Sequence, residues 1–135
     1  HLFFTAGMHG NTNYDRIQDL SEPSGKIHRI RDDGSIPDDN PYVNDPSAEP
    51  SIWTYGHRSP QGLEFNPRTG QLWGTEMGPR GGDEVNLIQP GKNYGWPTIT
   101  YGIEYSGAAI GAPIQQQNGL EQPVYYWDPV ISPRA

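Results

Sequence analysis

Short runs of alternating apolar and polar residues, each closed by glycine or proline, recur along the chain. "GLEF" at 62–65, the turn "NPRTG", and "QLWGTE" at 71–76 predict a β-hairpin with Pro and Gly where the backbone needs special angles. "EVNLI" at 84–88 predicts a third strand, "GKIHRI" at 25–30 another, and "HLFFTAG" at 1–7 a strand already under way at the first residue. Gly and Pro stand too close together for helical turns, so little or no helix is expected.

The strand pattern repeats. "HLFFTAGM" at 1–8 resembles "QLWGTEMG" at 71–78, and "GKIHRIRDDG" at 25–34 resembles "DEVNLIQPG" at 83–91. "PSIWTYGHRSP" at 50–60 lies over "PVYYWDPVISP" at 123–133, sharing the Pro, the aromatic rings and a Ser-Pro pair. Co-ordered matches at offsets of about 58 to 73 residues indicate four-stranded units of a β-propeller. The fold expectation is therefore all-β, roughly two four-stranded blades: a partial blade at 1–49, a blade at 50–122 and the start of the next at 123–135. Two blades cannot close a ring. Either the chain is a piece of a larger propeller, or identical copies complete one, with three copies matching six blades. The apolar blade faces are expected to carry Trp53, Leu63, Trp73, Leu87 and Trp127.

Composition narrows the function. The net charge is -7 and the pI about 4.8, with no run of Lys or Arg, which argues against nucleic acid as a partner. There is no cysteine, so disulfides and Cys-based zinc sites are excluded. No stretch reaches the roughly 20 apolar residues of a membrane span, and no signal-peptide pattern opens the chain. Gly 17 and Pro 14 bring the chain near the low-complexity range, but 4 Trp, 8 Tyr and 3 Phe spread along it supply core area.

The candidate chemistry gathers in "TEMGPRGGDEVNLIQPGKNYGW" at 75–96, where Glu76, Asp83 and Glu84 flank a Gly-Pro-Arg-Gly-Gly loop. Bare backbone offers carbonyl oxygens, and carbonyls with carboxylates are what a hard cation such as calcium binds. Taken alone, an acid pair beside a glycine loop is ordinary turn surface, and an arginine such as Arg58 pairs with a structural acid.

The block "IWTYGHRSPQGLEFNPRTGQLWGTEMGPRGGDEVNLIQPGKNYGWPTITYG" at 52–102 closely resembles the pyrroloquinoline-quinone-dependent aldose sugar dehydrogenases, also called soluble glucose/sorbosone dehydrogenases. "GKIHRIRDDGSIPDDNPY" at 25–42 and "PVYYWDPVISP" fit the same pattern, so the resemblance covers nearly the whole chain. It implies a six-bladed propeller holding the quinone (PQQ) and calcium at its axial mouth, and oxidation of an aldose to the lactone. Arg58 of "GHRSPQG" would face the quinone, where its fork suits carboxylates. Ser59 stands where the family usually has Asn, and Met77 where relatives place Gln or His. The carbonyls of Gly78 and Pro79 would hold the calcium that bridges to the quinone. Glu84 and Tyr94, the latter through its main-chain oxygen, would form a second, structural calcium site, with Asp83 capping the turn.

The resemblance also implies what is missing. The family's general base, a His, would precede residue 1, and the carboxylate that orients it would fall at Met8, which cannot do so. None of His1, His9, His28 and His57 replaces that base by motif. His9 is the one in a glycine-rich loop, and His28 reads as structural. No catalytic residue is therefore assigned. The expected function is a segment of a PQQ- and calcium-dependent sugar dehydrogenase, inactive alone, with a periplasmic or secreted setting. The alternative is a non-catalytic, self-assembling propeller module that binds a sugar or another small ligand.

Overall fold

Lys26–Ile30 (β2) is the middle strand of an antiparallel sheet, between Leu2–Ala6 (β1) and Ile52–Tyr55 (β3). The computed structural model describes residues 1–8 and 14–133. The second sheet is also antiparallel and runs Pro60–Phe65 (β4), Leu72–Glu76 (β5), Asp83–Ile88 (β6), Tyr125–Trp127 (β7) in spatial order. The only helix among the described residues is one turn, Asp15–Gln18 (α1). The protein is all-β, two neighbouring blades of a propeller, one seen with three strands and one with four.

The expected hairpin is present. Leu63 pairs with Gly74 and Phe65 with Leu72. The Asn66 side chain accepts from the Arg68 amide at 2.9 Å, and Gly70 closes the turn at φ 69°. A bulge falls between Pro60 and Gly62, where proline has no N–H to give the ladder. Ladder hydrogen bonding passes from the first sheet to the second between residues 55 and 60. Ile52–Tyr55 pairs back onto β2, and Tyr125–Trp127 joins β6 through Val85, Glu84 and Asp83.

Between the sheets lie Ile27, Leu72, Ile88 and Tyr94, with Phe3, Trp53 and Leu63 packed against them. Phe3 meets Trp53 edge-on at 5.4 Å and Phe65 at 5.5 Å, which stitches β1 to the second sheet. Trp73 and Leu87 pair across the opposite face of that sheet. So of the expected blade-face residues, Trp53 and Leu63 serve the core between the two blades and Trp73 and Leu87 face away from it. A second cluster of Ile17, Trp96 and Ile110, joined by Met8 and Tyr14, lies under the loops at one end.

β2 is buried although it carries three cationic or titratable side chains, and each is partnered. Arg29 spans Asp39 with two nitrogens at 3.0 and 3.3 Å and lies over the Trp53 ring. His28 bonds Ser51 Oγ and the Pro23 carbonyl and stacks on Phe4, a structural role. Lys26 is fully buried and donates to the carbonyls of Arg16, Ile17 and Ser24 at 3.2, 2.9 and 2.7 Å. That burial lowers its pKa from 10.5 to about 8. Below pH 8 the ammonium is charged in both states and its lost hydration weighs on the fold. Between about 8 and 10.5 the unfolded chain keeps a proton that the folded chain has released, so this group makes stability rise with pH. Relative to Lys26→Met, the parent is expected to gain in melting temperature across that window. Parallel melting-versus-pH curves for the two proteins would rule this out.

Candidate functional site

Every sequence-predicted site residue except Glu84 and Tyr94 lies where the last residues of β1 and β5 approach the start of β4. Met8 N donates to the Arg58 carbonyl at 2.8 Å, and Met77 N donates to the Ser59 carbonyl at 3.0 Å, so residues 8, 58–59 and 77 are tied side by side. Gly56, at φ 79°, makes the corner before them. A Cβ there would lie 2.2 Å from Asn93 Oδ1 and 2.6 Å from Gly95 N, so only glycine lets the 93–96 loop approach.

Arg58 is the centre of this end. Its guanidinium donates to the Met77 carbonyl at 3.0 Å and lies over the rings of Trp96 at 5.6 Å and Tyr105 at 6.0 Å. Its Nε is buried without a partner, and so is the indole nitrogen of Trp96 beneath it. Two unpaired buried donors side by side are costly and fit a ligand rich in acceptor oxygens. Around them Tyr14 donates to Glu104 at 2.9 Å, and Gln18 ties α1 to the Trp96 carbonyl at 2.6 Å. Burial, then the bonded Glu104, raises the Tyr14 pKa. Ser59 uses its hydroxyl locally, accepting from Gln61 at 3.0 Å.

The loop after β5 folds sharply on itself. Gly78 N donates to Asp83 Oδ1 at 2.8 Å, and the other oxygen of Asp83 takes the amides of Ile131 and Ser132 at 2.7 Å each. Asp83 is therefore the cap of the turn, buried and fully engaged. Gly81 and Gly82 hold φ 78° and 76°. Among the described residues no backbone amide donates to the Gly78, Pro79 or Tyr94 carbonyl. Those free oxygens suit a hard cation.

The three acids flanking this loop do not converge. Glu76 turns to residues 57 and 58, Asp83 caps, and Glu84 sits across the ladder from Glu76, accepting from Asn86 Nδ2 at 3.1 Å. Burial, then the neighbouring Glu76, with a smaller push from Asp83, raises the Glu84 pKa to about 8 against the pull of Asn86. Asn86 Oδ1 beside it is buried and unpartnered. A carboxyl crowded by like charge next to an orphan amide oxygen fits a bound cation. No three His, Asp or Glu among the described residues form a metal-holding group, so any cation here would need main-chain or amide oxygens beside the Glu84 carboxylate.

Sequence reading missed several participants. His57, buried, bonds Glu76 Oε2 through Nδ1 at 2.9 Å and Thr54 Oγ1 through Nε2 at 2.9 Å, and stacks on Tyr94. Trp96, Tyr105 and Tyr14 form the walls around Arg58. Their pairings span tens of residues, and no local spacing announces them. Met8 packs against the cluster under Trp96. His9 lies outside the described residues.

Two adjacent antiparallel blades define the chain as a segment of a β-propeller. The chain belongs to the glucose/sorbosone dehydrogenase family, whose sequence model matches residues 1–135. It is 48% identical over 138 residues to the aldose sugar dehydrogenase YliI of Escherichia coli, covering 100% of this chain and 37% of that protein. It is 49% identical over 85 residues to the quinoprotein glucose dehydrogenase B of Acinetobacter calcoaceticus, covering 63% of this chain and 17% of that protein. The solved apo form of the soluble E. coli aldose sugar dehydrogenase superposes with a TM-score of 0.88 at 48% identity, over 94% of this chain and 36% of that one. The PQQ-bound aldose sugar dehydrogenase of Streptomyces coelicolor superposes with a TM-score of 0.71 at 31% identity, over 93% of this chain and 32% of that one. The chain thus spans about a third of the length of the fuller relatives it matches. Among the described residues no helix is long and apolar enough to cross a membrane.

Proposed function

We propose that this chain builds one side of the cofactor seat of a PQQ- and calcium-dependent aldose sugar dehydrogenase, in a periplasmic or secreted setting, and does not oxidise sugar alone. The observation that carries this reading is Arg58, whose Nε is buried without a partner while its guanidinium reaches the Met77 carbonyl, next in sequence to Gly78 and Pro79. A bound quinone would supply a hydride-accepting carbonyl, and calcium would polarise it. Arg58 would pair the quinone's oxygens with its fork, and the Gly78 and Pro79 carbonyls would hold the bridging calcium. Ser59 could add one hydroxyl once released from Gln61. Met77 gives its main-chain oxygen to Arg58, and its thioether offers the cofactor no donor. Glu84 and the Tyr94 carbonyl would hold the structural calcium. Both ring nitrogens of His28 and of His57 are engaged in hydrogen bonds, so we assign the proton acceptor to neither.

The second reading is the non-catalytic, self-assembling module that binds a sugar or another small ligand, with a homo-oligomer, a trimer for six blades, in place of the missing remainder of the propeller. The face of the second sheet that carries Trp73 and Leu87 favours a further layer of one kind or the other. Trp73 Nε1 and Thr75 Oγ1 are buried there without partners. Quinone titration by tryptophan fluorescence, with calcium and with a chelator, tests the leading reading. Saturable, calcium-dependent quenching without glucose-dependent dye reduction is expected. Absence of quenching, or turnover of glucose by the chain alone, would overturn it. Sedimentation at several concentrations separates a closed trimer from a lone piece.

A further inference from the structure

One carboxylate joins the two halves of the candidate site. Glu76, at the end of β5, is 6% exposed and uses both oxygens on consecutive residues of the 56–59 corner. Oε1 accepts from the Arg58 amide at 3.1 Å, and Oε2 accepts from His57 Nδ1 at 2.9 Å. A carboxylate can only accept, so His57 carries a proton on Nδ1, and its Nε2 lies 2.9 Å from the Thr54 hydroxyl. The imidazole is held flat against Tyr94, with 4.7 Å between ring centroids. The corner is thereby pinned from the side chain of β5, the hydroxyl of β3 and the ring of the 93–96 loop. By contrast, the Arg58 side chain has one 3.0 Å bond to a carbonyl and a long 3.4 Å contact with the exposed Tyr105 hydroxyl. The direction in which the guanidinium leaves the main chain is set by what fixes its amide.

We propose that Glu76, acting through His57 and the Arg58 amide, is a positioning residue that aims the Arg58 guanidinium over Trp96 into the mouth. This deepens the proposed function and rests on it for the identity of the ligand. It does not rest on it for the aim of Arg58, which exists without ligand. The role needs two hydrogen-bonding positions in this geometry and not the negative charge. Glu76→Gln keeps an oxygen for the Arg58 amide and turns its NH₂ to His57. The imidazole then shifts its proton to Nε2 and donates to Thr54, whose hydroxyl accepts. Glu76→Ala removes both anchors.

Two readouts test this on the whole chain. In the ligand-free protein, amide hydrogen exchange and the indole NMR signal of Trp96 report the aim of Arg58 directly. Glu76→Ala is expected to speed exchange of the Arg58 amide by at least about tenfold while β4–β6 amides stay protected, and to move the Trp96 signal toward its position in Arg58→Ala. Glu76→Gln is expected to leave both near the parent. With PQQ and calcium, Glu76→Ala is expected to weaken quinone binding by about tenfold, and Glu76→Ala/Arg58→Ala to bind no worse than Arg58→Ala alone, because the first acts through the second. The proposal is overturned if the Trp96 signal of Glu76→Ala stays at the parent position, if Glu76→Gln behaves like Glu76→Ala, or if the two losses add. If protection is lost across β4–β6 as well, Glu76 is a general fold element and the positioning role is likewise refuted. A parent chain that shows the NMR response but binds no quinone would sink the cofactor reading and leave the aim of Arg58 standing.

Discussion

Gly78→Ala is expected to lower the melting temperature by on the order of 10 °C, corresponding to about 3 kcal/mol for a chain of this size. A Cβ at Gly78 would lie 2.1 Å from the Gly81 carbonyl oxygen, 2.6 Å from the Gly82 carbonyl carbon and 2.7 Å from its oxygen. All three are backbone atoms, so no flexible side chain can swing away. The turn cannot open to make room either. Gly78 N is bound to Asp83, Gly82 N to the Trp127 carbonyl at 2.9 Å, and Gly82 lies so near residues 101 and 102 that it too tolerates no Cβ. The strain must therefore displace the Gly78 and Pro79 carbonyls, and calcium-dependent quinone binding should fall with stability. Gly34→Ala is the control. Gly34 has φ 85° but nothing within 4 Å of its added Cβ, so it should cost only the left-handed penalty of about 1–2 kcal/mol. Equal melting losses for the two variants would show that crowding in the turn does not matter.

The strands were legible because their apolar residues alternate and, in β4 to β6, because their partners are near in sequence. Leu72 and Gly74 are buried while Trp73 and Thr75 are less so, the alternation that "QLWGTE" displays. The repeat aligns equivalent segments such as those beginning at Pro50 and Pro123 without saying which strand each pairs with. Ile52–Tyr55 and Tyr125–Trp127 are equivalent by position, and each closes the sheet of the residues before it.

Within the site, Arg58, Gly78, Pro79, Glu84 and Tyr94 came from the family resemblance, and spacing alone would have left them as turn surface. Lys26 and Glu76 illustrate why chemistry of the main chain stays hidden. The partners of Lys26 are carbonyls of residues 16, 17 and 24, and those of Glu76 include the amide of residue 58. Every residue has such groups, so no residue type marks the places where they converge. Asp83 was legible as a cap for the opposite reason: a short acid just after Gly-Gly has amides within reach in almost any turn.

Calcium is expected to raise the melting temperature of the parent, and Glu84→Gln to remove most of that rise. A ligand that binds only the folded state stabilises by mass action, about 2.7 kcal/mol at a hundredfold excess over its dissociation constant. The Glu84 carboxyl has the attributes of a cation ligand awaiting its charge partner, since burial and the nearby Glu76 and Asp83 disfavour its ionised form. In the proposed site the Tyr94 carbonyl, to which no described backbone amide donates, would be the calcium's second oxygen. Glutamine is the same shape without the charge, so Glu84→Gln can still accept from Asn86 but attracts calcium far less. Without calcium the variant should melt no lower than the parent, because glutamine keeps the shape of a carboxyl whose ionised form burial and the neighbouring Glu76 disfavour. That pairing of outcomes separates a metal ligand from a carboxylate that merely supports the strand, whose loss would lower the metal-free melt. Should the parent melt identically in calcium and in chelator, Glu84 and Tyr94 hold no calcium in this chain.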